Sequence, residues 1–270
     1  VLYNAAHPRD KVAILAGGGA GHEPAFSGLV GSGLVTVAVS GDVFASPSSK
    51  QICSGVDLAP TDKGIVTIVL NYTGDCLNFG LASEKARSAF HSEGKGRDIE
   101  MVIVGDDVSV GRSKGGLVGR RGLTGAAFTA KVLGAASEKG DDVQKIAHLG
   151  RTMVKNFVTV GSSLDHCHVP GRSTDPKERG ALSQSAVEIG MGIHNEPGAK
   201  HIENKPSAEN LIKEMLELLL REDDPERSFV KFNKDDDPVL IINNLGGMSS
   251  IELGAIAAEA RTQICLLYTS

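Results

Sequence analysis

Three short stretches of the sequence hold residue types that can do chemistry together. Gly17-Gly18-Gly19-Ala20-Gly21-His22-Glu23-Pro24 sets an imidazole and a carboxylate directly after a glycine run. Glycine reaches backbone angles closed to other residues and lets the main chain come close to a ligand. Asn71-Tyr72-Thr73-Gly74-Asp75 carries a carboxylate at the end of an apolar run. Gly192-Ile193-His194-Asn195-Glu196-Pro197-Gly198 repeats the order histidine, glutamate, proline. A neutral imidazole can relay a proton or add through nitrogen to a carbonyl carbon, and a carboxylate can accept a proton from a hydroxyl. Local spacing leaves the alternatives open: His22 in a tight turn, His194 capping a strand end and Asp75 as a helix N-cap would use the same residues structurally.

The glycine run is not a standard nucleotide loop. A Walker A loop closes with Gly-Lys-Ser/Thr, whereas this one closes with Gly21-His22-Glu23. The dinucleotide pattern fails as well, because its third glycine would fall on His22. His166-Cys167-His168 would set two imidazoles on one face of a strand. No third or fourth ligand lies near in sequence, so no metal site is expected. Cys53, Cys76, Cys167 and Cys265 form no C-x-x-C pair and read as free thiols of a reducing cytoplasm.

The elements that must position these residues follow a rhythm of strand, polar loop and helix. Val12 to Leu15 reads as a buried strand that stops at the glycines, and Leu34 to Val39 as a second. Gly64 to Leu70 is apolar on both faces, as in a parallel strand covered by helices. Leu77 to Phe90 is an amphipathic helix and Ile99 to Val104 a fourth strand. Arg112 to Gly125 is a basic, glycine-rich loop, either solvated or docking an anion or partner. Thr124 to Gly140, Asp142 to Phe157 and Ala208 to Arg221 read as helices, and Val158 to Val169 and Val239 to Ile242 as strands. Ser249 and a following glutamate cap a last helix.

This order predicts an α/β protein with right-handed crossovers. We expect two α/β domains with mainly parallel or mixed sheets flanked by helices, and a substrate site at strand-end loops in the cleft. The expected boundaries are residues 1–178, with the first two chemical loops, and 179–260, with His194. Residues 170–185 act as linker, and 261–270 break the pattern like a non-native tail. Hydrophobic residues make up 41% and charged residues 23%, a folded rather than disordered composition. The formal net charge of −5 gives no reason to expect nucleic acid or an anionic membrane as partner. No apolar run is long enough to span a bilayer and no signal peptide is visible, so a cytoplasmic location is expected.

Taken in order, the three loops with Asn78-Phe79, Gly119-Arg120-Arg121-Gly122 and Asn243-Asn244-Leu245-Gly246 resemble the substrate-binding K domain of dihydroxyacetone (glycerone) kinases. The resemblance runs from about Val12 to Glu259, and His166-Cys167-His168-Val169-Pro170-Gly171-Arg172 is similar to the single-chain, ATP-using eukaryotic branch. It implies that His194 bonds covalently to the substrate carbonyl carbon as a hemiaminal. Asp75 and His22 are then the acid/base pair beside it, with Gly19, Ala20 and Gly21 as the backbone cradle. The implied substrates are dihydroxyacetone and D-glyceraldehyde. The implied cofactors, ATP and Mg2+, belong to an L domain in cis or trans that nothing in this chain resembles, and further K-domain sequence is expected at both ends. A homodimer is implied too. Two positions depart from the family: Ala20 stands where serine is usual, and Leu70 where lysine is usual. The resemblance leaves two other readings, a ketotriose-binding regulatory module without turnover and part of a bifunctional triokinase/FMN cyclase.

Overall fold

The computed structural model describes residues 1–269 except 93, 95, 117, 170, 172, 174, 176–180 and 234. Two compact units emerge: Val1–Asp106 with Leu117–Phe157, and Asp107–Gly116 with Val158–Ser270. The linker at 170–185 places the expected boundary at 178/179. The division at 157/158 follows from pairing: the Val108 N–H donates to the Thr159 carbonyl at 2.9 Å, and Val108 is buried with Val160 and Ile189.

The first unit is built on a five-stranded sheet. Its strands are β1 (Leu2–Tyr3), β2 (Ala13–Ala20), β3 (Val37–Val43), β4 (Ile65–Leu70) and β5 (Ile99–Val104), in the order β1-β3-β2-β4-β5. The β1–β3 pair is antiparallel, and the other three pairs are parallel. Alternation along β2 explains the layers. Ile14 and Ala16 face one side with Ile68, Val102 and Val104, under α4 (Gly125–Glu138) and α5 (Val143–Lys155). Ala13 and Leu15 face the other with Val37, Val39 and Val69, under α1 (Ser49–Leu58) and α2 (Thr73–Ser92). A strand buried on both faces must be largely apolar, which the run Ile65–Leu70 supplies; its one polar residue, Thr67, donates its hydroxyl to the Glu100 carbonyl at 3.3 Å. Asp106, fully buried at the end of β5, accepts from the Leu123 and Gly125 N–H groups at 2.7 and 2.8 Å and so fixes the start of α4.

Strand order creates a crevice. The chain leaves β2 for β3 on one side, then α1 returns it past β2 to β4 on the other, and β4 continues outward to β5. Adjacent strands β2 and β4 therefore send their C-terminal connections in opposite directions, which opens a crevice at that sheet edge.

The strand β2 runs through Gly17-Gly18-Gly19 to Ala20 rather than stopping at the glycines. Its register with β3 shifts between Gly18 and Ala20. Glycine permits this close pass: a Cβ on Gly17 would lie 2.3 Å from the Val39 carbonyl oxygen, and one on Gly19 2.7 Å from the Ala45 nitrogen. Helix α1 is an addition to the elements expected from the sequence, with Ser48 and Gln51 forming a capping box at its start.

The second unit holds a short helical turn α3 (Arg112–Gly115) and an antiparallel sheet of β6 (Ser162–Ser163), β7 (Val187–Ile189) and β8 (Lys200–Ile202). It also holds α6 (Ala208–Leu220) and α7 (Ser250–Thr269), where residues 261–269 continue the helix. Two strand expectations are corrected. The strand over 158–169 shrinks to Ser162–Ser163, because Ser163 Oγ accepts from the Asp165 N–H at 3.3 Å and a local turn replaces the ladder. Val239–Ile242 forms no strand: Val239, Leu240 and Ile241 are exposed, and no described strand pairs with them. Substituting Gly17→Ala should lower the unfolding free energy by about 1–3 kcal/mol through overpacking at Val39 and Phe79, read as a lower urea midpoint.

Candidate functional site

In the first unit, His22 and Asp75 stand beyond the C-terminal ends of β2 and β4, the two strands that flank the crevice. Gly21 takes φ +93°, which turns the chain after β2. Its N–H donates to the Glu23 carboxylate at 3.0 and 3.2 Å, so Glu23 closes the loop locally. The His22 ring stacks on Phe44, with centroids 4.8 Å apart and planes 15° from parallel. Asp75 lies in the first turn of α2, is buried, and its Oδ1 accepts from the Ser46 hydroxyl at 2.6 Å. The segment Phe44–Ser46, leaving β3, therefore touches both the imidazole and the carboxylate. Sequence reasoning missed Phe44 and Ser46. The Ser-x-x-Gln cap at Ser48 was the available signal that a helix begins just after them.

Gly19 and Ala20 complete the strand end, partly buried beside the Phe44–Ala45 backbone. Leu70, the last residue of β4, packs on the α4/α5 side of the core. A Cβ on Gly122 would come within 2.7 Å of its Cδ2. The Asn71 amide nitrogen donates to the Val118 and Arg120 carbonyls, both at 2.7 Å. Arg120 itself donates to the Asp106 and Phe157 carbonyls, so this half of the basic loop is tied to backbone. The other half is bound as well: Arg112 lies over the Phe229 ring at 4.4 Å and donates to the Ser228 carbonyl. Burial, followed by the charge of Asp75, pushes the Cys76 thiol up, and a neutral thiol is a poor nucleophile.

His194 belongs to the second unit, in a tight loop after β7. The Gly192 N–H donates to the Glu196 carbonyl at 2.9 Å and the Asn195 N–H to the Gly192 carbonyl at 3.0 Å. Asn195 sits at φ +64°, a conformation its short polar side chain tolerates. That side chain clamps Cys167 from both directions, accepting from its N–H at 2.6 Å and donating to its carbonyl at 3.0 Å. Glu196 Oε1 lies 3.0 Å from His194 Nδ1, and Oε2 accepts from the His194 N–H at 2.9 Å. Burial on its own would raise the Glu196 carboxyl. The hydrogen bonds from the His194 ring and backbone outweigh it and hold the group down at about 2. His166 Nε2 faces Glu188 at 3.7 Å. With the strand over 158–169 gone, His166 and His168 share no strand face, and no group of three His, Cys, Asp or Glu among the described residues could hold a metal ion.

The fold and these loops define a class of protein: a mixed α/β domain with a mainly parallel sheet flanked by helices and polar residues at its strand ends. The chain belongs to the Dak1 domain family, which matches residues 1–265. It is 45% identical over 278 residues to a dihydroxyacetone kinase of Pichia angusta, covering 99% of this chain and 45% of that protein. The crystal structure of the dihydroxyacetone kinase of C. freundii in its native form superposes with a TM-score of 0.80 at 34% identity, over 96% of this chain and 44% of that one. The dihydroxyacetone kinase operon co-activator DhaQ superposes with a TM-score of 0.81 at 27% identity, over 98% of this chain and 76% of that one. The chain thus spans less than half the length of the kinases it matches. Among the described residues, no helix is long and apolar enough to cross a membrane.

The Glu196 pair makes a pH prediction. A carboxyl whose folded value is depressed from 4.5 to about 2 adds stability that is fully present above its unfolded value and is lost as pH falls through the folded one. The stability advantage of the unsubstituted chain over Glu196→Gln should be flat above about pH 4.5 and shrink steadily towards pH 2, measured by urea midpoints across that range.

Proposed function

We propose that this chain is the substrate-binding part of an ATP-dependent dihydroxyacetone kinase. It captures dihydroxyacetone or D-glyceraldehyde as a hemiaminal on His194 and presents a terminal hydroxyl for phosphorylation. The observation that carries the reading is the His194–Glu196 pair, an imidazole held by a carboxylate at one nitrogen, in a chain that matches the family almost end to end. An imidazole nitrogen adds to a ketone or aldehyde carbon and not to an alcohol carbon. Capture therefore separates these trioses from glycerol, which hydrogen bonding alone distinguishes poorly. The adduct also fixes the hydroxyl that will react, a proximity effect. Asp75 accepts the hydroxyl proton, and His22 protonates the oxygen left by addition. Gly19, Ala20 and Gly21 offer backbone to the substrate.

The C. freundii kinase has been crystallised with AMP-PNP and Mg2+. The residues of this chain do not fit that group: the glycine loop lacks the phosphate-binding lysine of a Walker loop, and no described acidic cluster suits a metal. We assign ATP and Mg2+ to a separate L domain. The reading carries with it a homodimer and a cytoplasmic location. A second reading is favoured by the similarity to DhaQ, a co-activator, over nearly the whole chain: triose binding without turnover, for which Leu70 and Ala20 are the departures to examine.

Calorimetry with dihydroxyacetone and glycerol tests capture. The ketone should bind at least about tenfold more tightly, about 1.4 kcal/mol, and His194→Ala should abolish that preference. Equal binding of ketone and glycerol, or an unchanged preference in His194→Ala, would overturn the hemiaminal. Supplying an ATP-binding domain with ATP and Mg2+ then separates the readings: triose phosphate marks the kinase, and binding without product the regulator.

A further inference from the structure

We propose that Glu196 is a positioning residue that holds His194 in the tautomer and ring orientation needed for attack on a carbonyl, a role that rests on the capture reading above. Its carboxylate grips one residue at two points. Oε2 takes the backbone N–H of His194 and Oε1 takes the ring at Nδ1. An ionised carboxylate only accepts hydrogen bonds. The proton of the neutral ring is therefore on Nδ1, and the electron pair is on Nε2. The turn closed by Gly192 and Glu196 sets the two side chains face to face. Asn195, between them, ties that turn to Cys167. Glu196 thus fixes the ring through the backbone of the same residue, so rotation of the imidazole would break the ring contact while the backbone contact holds the carboxylate in place.

The Nε2 electron pair forms the bond to the carbonyl carbon, the π pair of the C=O moves to oxygen, and that oxygen takes a proton delivered through His22. The ring gains one positive charge, and the Glu196 carboxylate neutralises it across the Nδ1–H bond. Glutamine is isosteric but cannot repeat this. It has one accepting oxygen for two donors, the ring and the backbone N–H. With its oxygen on the backbone N–H, its NH2 donates to Nδ1. The ring proton then moves to Nε2, and no electron pair remains there for attack.

The test uses the whole chain with 15N-labelled histidine and dihydroxyacetone carrying 13C at the carbonyl. In the unliganded chain, His194 should show a protonated Nδ1 and an unprotonated Nε2 by NMR. Glu196→Gln should reverse that pattern and slow formation of the 13C adduct by at least about 100-fold, between the cost of losing a partner that orients a histidine and that of a wrong tautomer. Glu196→Asp, which keeps the charge, should retain the Nδ1 proton and recover part of the rate. A protonated Nε2 in the unsubstituted chain would overturn the proposal, as would an adduct formed by Glu196→Gln at the unsubstituted rate. Absence of any adduct in the unsubstituted chain would overturn the capture reading and the role of Glu196 in attack with it. An adduct formed by the unsubstituted chain and by Glu196→Gln at equal rates overturns Glu196 alone.

Discussion

The parallel ladder that seats β2 between β3 and β4 is the constraint on which the first unit depends. It demands a strand buried on both faces, and it demands that the chain cross over once to reach β4. Both consequences are visible. Ala13 to Ala16 are fully buried, with alternate side chains feeding two separate cores. The crossover makes β2 and β4 exit in opposite directions, so His22 and Asp75 arise at one sheet edge although 53 residues separate them. The close pass of β2 along β3 needs the space a side chain would fill at Gly17 and Gly19. The glycine run therefore serves the packing of the sheet.

Around that edge, several polar side chains are placed by backbone groups, while Asp75 is held by the Ser46 hydroxyl. Asn71 holds the 118–120 loop through two carbonyls, and Asp106 holds the start of α4 through two N–H groups. Buried polar groups are costly unless satisfied, so each such pair also specifies one arrangement of its loop. Glu138 does the same at the far end of α4. Its carboxylate accepts from Ser32 and the Gly33 N–H and pairs with Lys11. The hydrogen bonds from Lys11 and Ser32 depress it to about 2.

The second unit relies on local closure instead. His194, Asn195 and Glu196 are consecutive, and each is fixed within the loop or by Cys167. A carboxylate two residues from the imidazole it orients requires no long-range topology. That economy makes the histidine loop readable as a motif, whereas the sheet-edge site needs strands from across the chain. Glu188 extends the same idea one step outward, accepting from the Gly198 N–H and facing His166.

The sequence by itself determined the fold class, the strands β4 and β5, the helices α2 and α4 to α6, and the position of the polar loops at the strand ends. Those features are local: hydrophobic period, caps and glycine placement act within a few residues. Only the tertiary structure decided that Phe44 and Ser46 join His22 and Asp75, because that contact depends on how β3 leaves the sheet. It also decided that residues 107–116 group with the second unit and that 239–242 pair with no described strand. A strand exists only through its neighbour, and no amount of β-branched sequence at Val239 to Ile242 can supply one. The basic run from Arg112 to Arg121 shows the same limit in charge: composition counts cations, but only packing reveals that Arg112 and Arg120 are spent on Phe229 and on backbone carbonyls.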